Sequence, residues 1–497
     1  VLAILFCVAT FVLHEATAGG YGYQRDELYF ISCAQHLSWG YVDQPPLIAL
    51  VAKIALALFG DSLYGIRLLP ALAAAATVVV VGRIARRLGG GLFAQGLAML
   101  AVALGPFELS VGNLLTMNAF EPLLWMGAAY LFMKAERGDR SRTWLALGIV
   151  VGLGLLNKYS MFFFGGSCVL AIALTPMRRA LLRPGFFLAL GVAGLCVAPT
   201  LWWQQAHGWP QLEVLHNAAL AKNVVPSPLG FYLEQFLMTN PIAAPIWIAG
   251  LWFLFASRDG ARLRWYGIAY VVLSVAYIAL QAKVYYLAPI YPVLFAVGGV
   301  AVERGFARLA WARVAYPIAV GALGFFIAPN AFPLLPLHTF LQFEKIVDVR
   351  GIKQEKHPEG LVPQHFADML GWPTLVATMS QQLDRLPPTE RHEATIFTRD
   401  YGQAAAIDFL GRKAGLPHAI SGHNQYFIYG TRGSTGRVVL ALGLDPGLLR
   451  SEWGRVERVG TFHDDYLLPD QNDLAIYKCT EPLAPLAAWW PHVKRYI

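Results

Sequence analysis

SLYGIRLLPALAAAATVVVVGRIARR, residues 62–87, decides how this chain is read. Residues 62–82 form an apolar run interrupted by one charged side chain, Arg67, and Arg83, Arg86 and Arg87 follow at once. A bilayer core takes ~20 mostly apolar residues per helix, so this stretch reads as a membrane span ending in a basic cluster. Working outward, runs of the same kind lie at 1–18, 91–109, 113–133, 143–157, 161–177, 186–204, 240–257, 265–281, 286–302 and 312–330. The expectation is an all-α polytopic membrane bundle of about eleven transmembrane helices. Composition agrees: 56% of residues are hydrophobic and 14% charged, where soluble domains carry about 25% charged residues. The first run, 1–18, is expected as a retained helix rather than a cleaved signal peptide.

The connections alternate in charge. One set carries Arg83/Arg86/Arg87, Lys134/Arg137/Arg140/Arg142, Arg178/Arg179/Arg183, Arg258/Arg262/Arg264 and Arg304/Arg308/Arg313. The other set, 19–61, 109–113, 158–160, 205–239 and 282–285, is aromatic and poor in Lys and Arg. Cytoplasmic loops are the basic ones, which predicts a cytoplasmic N-terminus and an external loop 19–61. The pI of about 9.2 is then an orientation signal, and nucleic acid is excluded as a partner.

After Asn330 the texture changes. Residues 331–497 hold 17 of the 39 Lys and Arg and 18 of the 31 Asp and Glu, with no run long enough to span. β-rich stretches at 394–398, 437–442 and 474–478 surround a helical segment at 403–413. This predicts two domains, a transmembrane bundle over 1–330 and a small soluble α/β domain over 331–497 on the same external side. Cys7, Cys33, Cys168, Cys196 and Cys479 show neither disulfide nor metal spacing and read as packing residues.

Ionisable residues at membrane depth mark candidate sites. In the first loop, Tyr21-Gly-Tyr-Gln-Arg25-Asp26-Glu27-Leu-Tyr29-Phe30 leads through Asp43-Gln44-Pro45-Pro46-Leu47. Residues 25–39 suit an amphipathic helix lying in the headgroup plane, with Asp26 and Tyr29 on one face and Glu27 about 100° away. Glu121 lies within an apolar span, Lys158 ends one, Lys283 precedes Tyr285 and Tyr286, and Arg67 begins the span at 62–82. Each cation alone fits a snorkelling side chain. Together, at one end of the bundle, they suit an anionic headgroup held beside a general base.

At these residues the chain resembles the membrane glycosyltransferases of family 39, the protein O-mannosyltransferase and lipid A aminoarabinose transferase type, of GT-C fold. The resemblance covers roughly residues 15–300 and rests on the order of its motifs: Asp26-Glu27-Leu-Tyr29, Gln44-Pro45-Pro46-Leu47, Arg67-Leu68, the Glu121 segment, Gly154-Leu-Leu-Asn-Lys158 and Tyr286-Leu-Ala-Pro289. It implies a bacterial inner-membrane enzyme that moves a sugar, with inversion, from a polyprenyl-phosphate donor to a hydroxyl of a lipid, glycan or protein. The catalytic carboxylates would be Asp26, as base, and Glu27. Arg25, Tyr29, Arg67, Glu121, Lys158, Lys283, Tyr285 and Tyr286 would line the substrate site. The family often has Lys or His before its Pro-Pro-Leu motif; Gln44 stands there, so the phosphate must find its cations elsewhere. Asp400-Tyr-Gly-Gln403 and Ser421-Gly-His-Asn-Gln-Tyr426 resemble the soluble tail of bacterial members, and also read as a strand–turn–helix with Gly402 at the turn, followed by a polar loop.

A carboxylate that accepts the acceptor's proton is worth ~10²–10⁴ in rate, and cations or tyrosine hydroxyls can stabilise the departing phosphate. No cofactor is required, although the acidic side chains could hold a divalent metal. The rival class is a transporter or flippase of a lipid-linked sugar; internal repeats would favour it, and the sequence shows none.

Overall fold

The computed structural model describes residues 1–138, 140–347, 353 and 355–497. From the N-terminus to Asn330 the chain is helical, and each apolar run found in the sequence coincides with a helix or a bent helix pair. Among the described residues four helices are long and apolar enough to cross a membrane: Leu63–Arg87, Pro184–Ala206, Val284–Gly305 and Ala310–Asn330. Two bent pairs, Leu92–Ala103 with Pro106–Gly112 and Ser160–Ala173 with Pro176–Leu182, raise that to six. Leu2–Thr17, Leu47–Phe59, Ser141–Asn157 and Ala244–Ala256 are apolar but shorter. The eleven crossings expected from the sequence are therefore more than length and apolarity support.

Two of the long helices show what their surroundings are. Pro184–Ala206 is 22% buried and Ala310–Asn330 is 17% buried over their apolar windows. Phe187, Leu190, Leu195 and Trp311 stand outward and exposed. Side chains of that kind need an apolar solvent, so the outer face of this bundle is lipid-facing. Inside, helices approach through small residues. Gly298 of Tyr291–Gly305 lies directly against the Ile246 carbonyl of Ala244–Ala256, where any side chain would collide with backbone.

The first connection, 19–61, is more ordered than its sequence suggests. It holds two helices, Arg25–Gln35 and Leu47–Phe59. The first is packed inside protein along most of its length. Every residue from Glu27 to Ala34 is buried, and Leu28, Tyr29, Ile31 and Ala34 share one hydrophobic core with Tyr401, Ala404, Ala405 and Tyr426 of the C-terminal part. The amphipathic pattern was real, but its covering surface is protein.

That C-terminal part carries a five-stranded mixed sheet. The strands are β1 (Ala394–Thr398), β2 (Ala419–Ser421), β3 (Val438–Leu442), β4 (Trp453–Phe462) and β5 (Leu474–Pro482), in the order β2-β1-β3-β5-β4. β1 pairs parallel with β2 and β3, while β5 runs antiparallel to β3 and β4. The inner strands β1 and β3 are buried along their whole length, as strands covered on both faces must be. After β1, Asp400 caps the helix Tyr401–Phe409 by accepting the Gln403 N–H at 3.0 Å. Gly402 is not at a turn. It sits in the first turn of that helix, and its missing side chain admits the stem of Arg25. Sheet and first-loop helix are joined there, and the candidate site lies at this junction.

Candidate active site

Gln24-Arg25-Asp26-Glu27 starts a helix, and the way it starts decides which carboxylate is available. The Gln24 side chain accepts the Asp26 N–H at 2.6 Å, and the Gln24 N–H donates to Glu27 Oε2 at 2.8 Å, a reciprocal cap. Arg67 then grips the same Glu27 carboxylate, Nε to Oε1 at 2.9 Å and Nη2 to Oε2 at 2.7 Å, and the Leu115 N–H adds a bond at 2.9 Å. The remaining Arg67 donors go to the carbonyls of Ala18 and Gly22, at 2.6 and 2.8 Å. Both residues are 0% exposed. A buried charge survives when it is paired and fully hydrogen-bonded, and this pair is. Glu27 was expected to act with Asp26, and Arg67 to meet substrate. Both are placed where neither can touch one; they brace the first-loop helix to Leu63–Arg87.

Asp26 faces the other way. Its side chain is 37% exposed, the Tyr401 hydroxyl donates to Oδ1 at 2.8 Å, and Arg25 Nε stands 3.7 Å from the same oxygen. Among the described residues no hydrogen bond reaches Oδ2, so one oxygen of an oriented carboxylate is open. Arg25 is itself anchored: its guanidinium lies 3.4 Å from Asp368 and its backbone N–H donates to the Asp368 carbonyl at 2.8 Å. Tyr29 is buried behind Asp26. Its ring packs on Tyr401, centroids 4.4 Å apart, and its hydroxyl donates to Asp43 Oδ1 at 2.7 Å. Asn424, strained into positive φ at 46°, donates to Asp43 Oδ2 at 3.0 Å. Burial pushes the Asp43 carboxyl up to about 6, against the lowering effect of the Tyr29 hydrogen bond. Sequence reasoning passed over Asp43; its signal was a carboxylate two residues before the Pro45-Pro46 pair. His423, whose ring packs at a tilt on Tyr401 with centroids 4.7 Å apart, and Asn424 hold the loop that backs the site.

The cations gather in two groups. Lys283 Nζ meets Glu355 Oε1 at 2.5 Å, and Lys222 Nζ approaches the same oxygen at 3.5 Å. Burial pulls the Lys283 ammonium down, but Glu355, Tyr286 and Asp26 together carry it above the ordinary lysine range. Lys222, farther from Glu355, is left below that range by burial. Asp26 lies within electrostatic reach of both ammonium groups. Lys222 was not singled out from the sequence, although it is the one Lys or Arg in the cation-poor connection 205–239. In the second group Lys158 bonds Glu121 Oε2 at 2.8 Å and Asn118 Oδ1 at 2.7 Å, with its Nζ 4.4 Å from the Tyr286 ring centroid and 5.2 Å from that of Tyr285. Ser160 also bonds Glu121. Glu121 therefore neutralises Lys158, and the aromatic pair following Lys283 links the two groups. Among the described residues no three His, Cys, Asp or Glu side chains are grouped to hold a metal ion.

The arrangement is an open carboxylate beside buried ammonium groups, at the junction of a lipid-facing bundle and a sheet. Comparison with known proteins puts this in context. Residues 43–203 match the family described as dolichyl-phosphate-mannose-protein mannosyltransferase. The lipid A galacturonosyltransferase RgtD of Rhizobium johnstonii is 29% identical over 276 residues, which is 52% of this chain and 56% of that protein, so the match spans little more than half of that relative's length. Among solved structures, ArnT from Cupriavidus metallidurans bound to undecaprenyl phosphate superposes with a TM-score of 0.60 at 14% identity, covering 96% of this chain and 97% of that one. The oligosaccharyltransferase AglB from Archaeoglobus fulgidus, with an inhibitory peptide and a dolichol-phosphate, gives 0.51 at 11% identity, covering 88% and 69%. The shared architecture extends over nearly the whole of ArnT, bundle and sheet together. With its helical bundle and its appended sheet, this chain has the GT-C fold seen in ArnT, and its residues 43–203 resemble the dolichyl-phosphate-mannose-protein mannosyltransferase family.

Proposed function

We propose that the chain transfers a sugar from a polyprenyl-phosphate donor to an acceptor hydroxyl, with inversion, at the external face of a bacterial inner membrane. The observation that carries this is Asp26: the carboxylate that is oriented by Tyr401 and Arg25, partly open, and within reach of the charges of Lys222 and Lys283. Asp26 takes the proton of the acceptor hydroxyl as its oxygen attacks the anomeric carbon. The bond from that carbon to the phosphate oxygen breaks, and the polyprenyl phosphate leaves with the electron pair. Its growing negative charge falls to Lys283 and Lys222, with the hydroxyls of Tyr285 and Tyr286 and the Lys158–Glu121 pair alongside. In a site shielded from water such fixed charges act far more strongly than in solution.

Undecaprenyl phosphate in ArnT and dolichol-phosphate in AglB support the class of donor carrier. The name of the relative RgtD supports a lipid A-type glycolipid as acceptor, ahead of a polysaccharide or a protein Ser/Thr. In this reading residues 1–330 are the transferase bundle, residues 331–497 an extracytoplasmic lobe completing the site, and the basic connections face the cytoplasm. The test is transfer by purified protein from undecaprenyl-phosphate-linked sugars to lipid A. Asp26→Asn should lose about 10²–10⁴ in rate while still binding undecaprenyl phosphate. Unchanged transfer by that variant removes Asp26 as base. Passage of labelled donor across a vesicle without consumption would replace transfer with transport.

A further inference from the structure

Glu355 belongs to the C-terminal part, yet its carboxylate stands among the cations of the bundle. Oε1 faces Lys283 at 2.5 Å and Lys222 at 3.5 Å. Oε2 faces the C-terminal side, accepting from Gln364 at 2.9 Å and meeting His357 at 3.3 Å, with Arg25 at 4.0 Å. The residue is 6% exposed. Its backbone is fastened to the segment that carries Lys222: Asn223 and Glu355 form an antiparallel bridge, and the Lys356 N–H donates to the Lys222 carbonyl at 2.8 Å.

Two arguments say that this carboxylate stands in for a ligand. The first is charge balance. Arg25, Lys222, Lys283 and the imidazolium of His357 face Asp26, Glu355, Asp368 and Asp470, so the cluster is already neutral. A phosphodiester arriving on Lys283 and Lys222 would bring an unmatched negative charge into a buried site and meet the like charge of Glu355 there. The second is geometry. The two ammonium groups converge on a single oxygen, as they would on a phosphate oxygen, while the other oxygen has its own holders in Gln364 and His357. The carboxylate can release one side without losing the other.

We propose that Glu355 is an intramolecular occupant of the donor's phosphate seat: it holds Lys222 and Lys283 in place without donor and yields them when the lipid phosphate arrives. The proposal rests on the transferase reading above, because that reading puts the phosphate on these lysines. Occupation by Glu355 lowers the apparent affinity for donor by the fraction of molecules whose seat is filled. It also couples donor arrival to the Lys222 segment and to the C-terminal part, since both are tied to residues 355–356.

The experiment uses the full chain in detergent or nanodiscs and undecaprenyl phosphate as the probe. Glu355→Gln keeps the shape and removes the charge; it should bind the probe about tenfold more tightly than the parent. Lys283→Ala should abolish binding with or without the Glu355 change. Weaker or unchanged binding by Glu355→Gln overturns the proposal while leaving the seat intact. Full binding by Lys283→Ala overturns the seat itself, and with it the charge-stabilising part of the transferase reading. If Glu355→Gln proves unstable, Gln364→Leu offers a second arm. It removes an anchor on the C-terminal side, so Glu355 should press harder on the lysines and the probe should bind less tightly; unchanged binding there also counts against the proposal.

Discussion

The Tyr401 hydroxyl donates to Asp26 Oδ1 at 2.8 Å, a bond between residues 375 positions apart. It ties the carboxylate at the start of the first-loop helix to the first residue of the helix that follows β1. The C-terminal part is therefore built into the candidate site. Tyr401 touches Asp26, the proposed base, and in that proposal it is a positioning residue.

Tyr401→Phe keeps the ring that packs on Tyr29 and removes the hydroxyl. A misplacement of about 1 Å can cost 10²-fold, and here Arg25 still restrains Asp26, so a fall of about tenfold in kcat is expected. KM for the donor should change less than twofold, since the phosphate cations are untouched. Steady-state kinetics with a fixed acceptor separates the two. A rise in KM with kcat intact would mean that Tyr401 holds the donor instead.

Arg67 gives a contrasting prediction. Because Arg67 and Glu27 are both fully buried and bonded to one another, Arg67→Met strands an uncompensated carboxylate and should cost about 3–5 kcal/mol. Adding Glu27→Gln removes the stranded charge and should restore part of the loss. Thermal unfolding in detergent reads both. An Arg67→Met protein that is as stable as its parent, but no longer binds undecaprenyl phosphate, would return Arg67 to the substrate site.

These two residues show where the sequence was legible and where it stopped. Every long apolar run found a helix because apolarity at that length is a one-dimensional property, and the basic clusters between runs are equally local. Leu47–Phe59 was absorbed into a loop because it is 13 residues long and carries Lys53, too short for a span. β4 was missed for a related reason: Trp453–Phe462 is an edge strand whose Arg455, Glu457 and Arg458 are solvent-facing, and charges there hide the β pattern while protecting the edge. Within the site, Arg25 and Asp26 could be chosen from their neighbours in the chain. Asp43 and Lys222 carried local signals that were passed over, whereas Tyr401 and Glu355 could not be chosen, because each acquires its role from a partner brought in by the tertiary fold. The same limit explains Glu27. Adjacent to Asp26 in sequence, it looks like half of a catalytic pair until Arg67 and the Leu115 N–H arrive to consume it.

The last prediction concerns pH. His357 sits between two carboxylates, Nδ1 at 2.7 Å from Asp470 and Nε2 at 3.3 Å from Glu355. Its hydrogen bonds to Asp470 and then to Glu355 raise the imidazolium to about 9, against the effect of burial. A histidine raised in the folded state stabilises it fully below the ordinary value of about 6.5 and loses that contribution as pH climbs through the folded value. His357→Gln should therefore unfold at a lower temperature than the parent at neutral pH, and the gap should close as pH rises past about 9. Asp470 and Glu355 work in the opposite window, since both are held below the ordinary carboxylate range and lose their contribution on acidification. Melting curves of the two proteins from about pH 6 to about pH 10 cover the histidine transition. A gap that stays constant across that range would mean that His357 stabilises by packing alone, and its charge would have no part in anchoring Glu355.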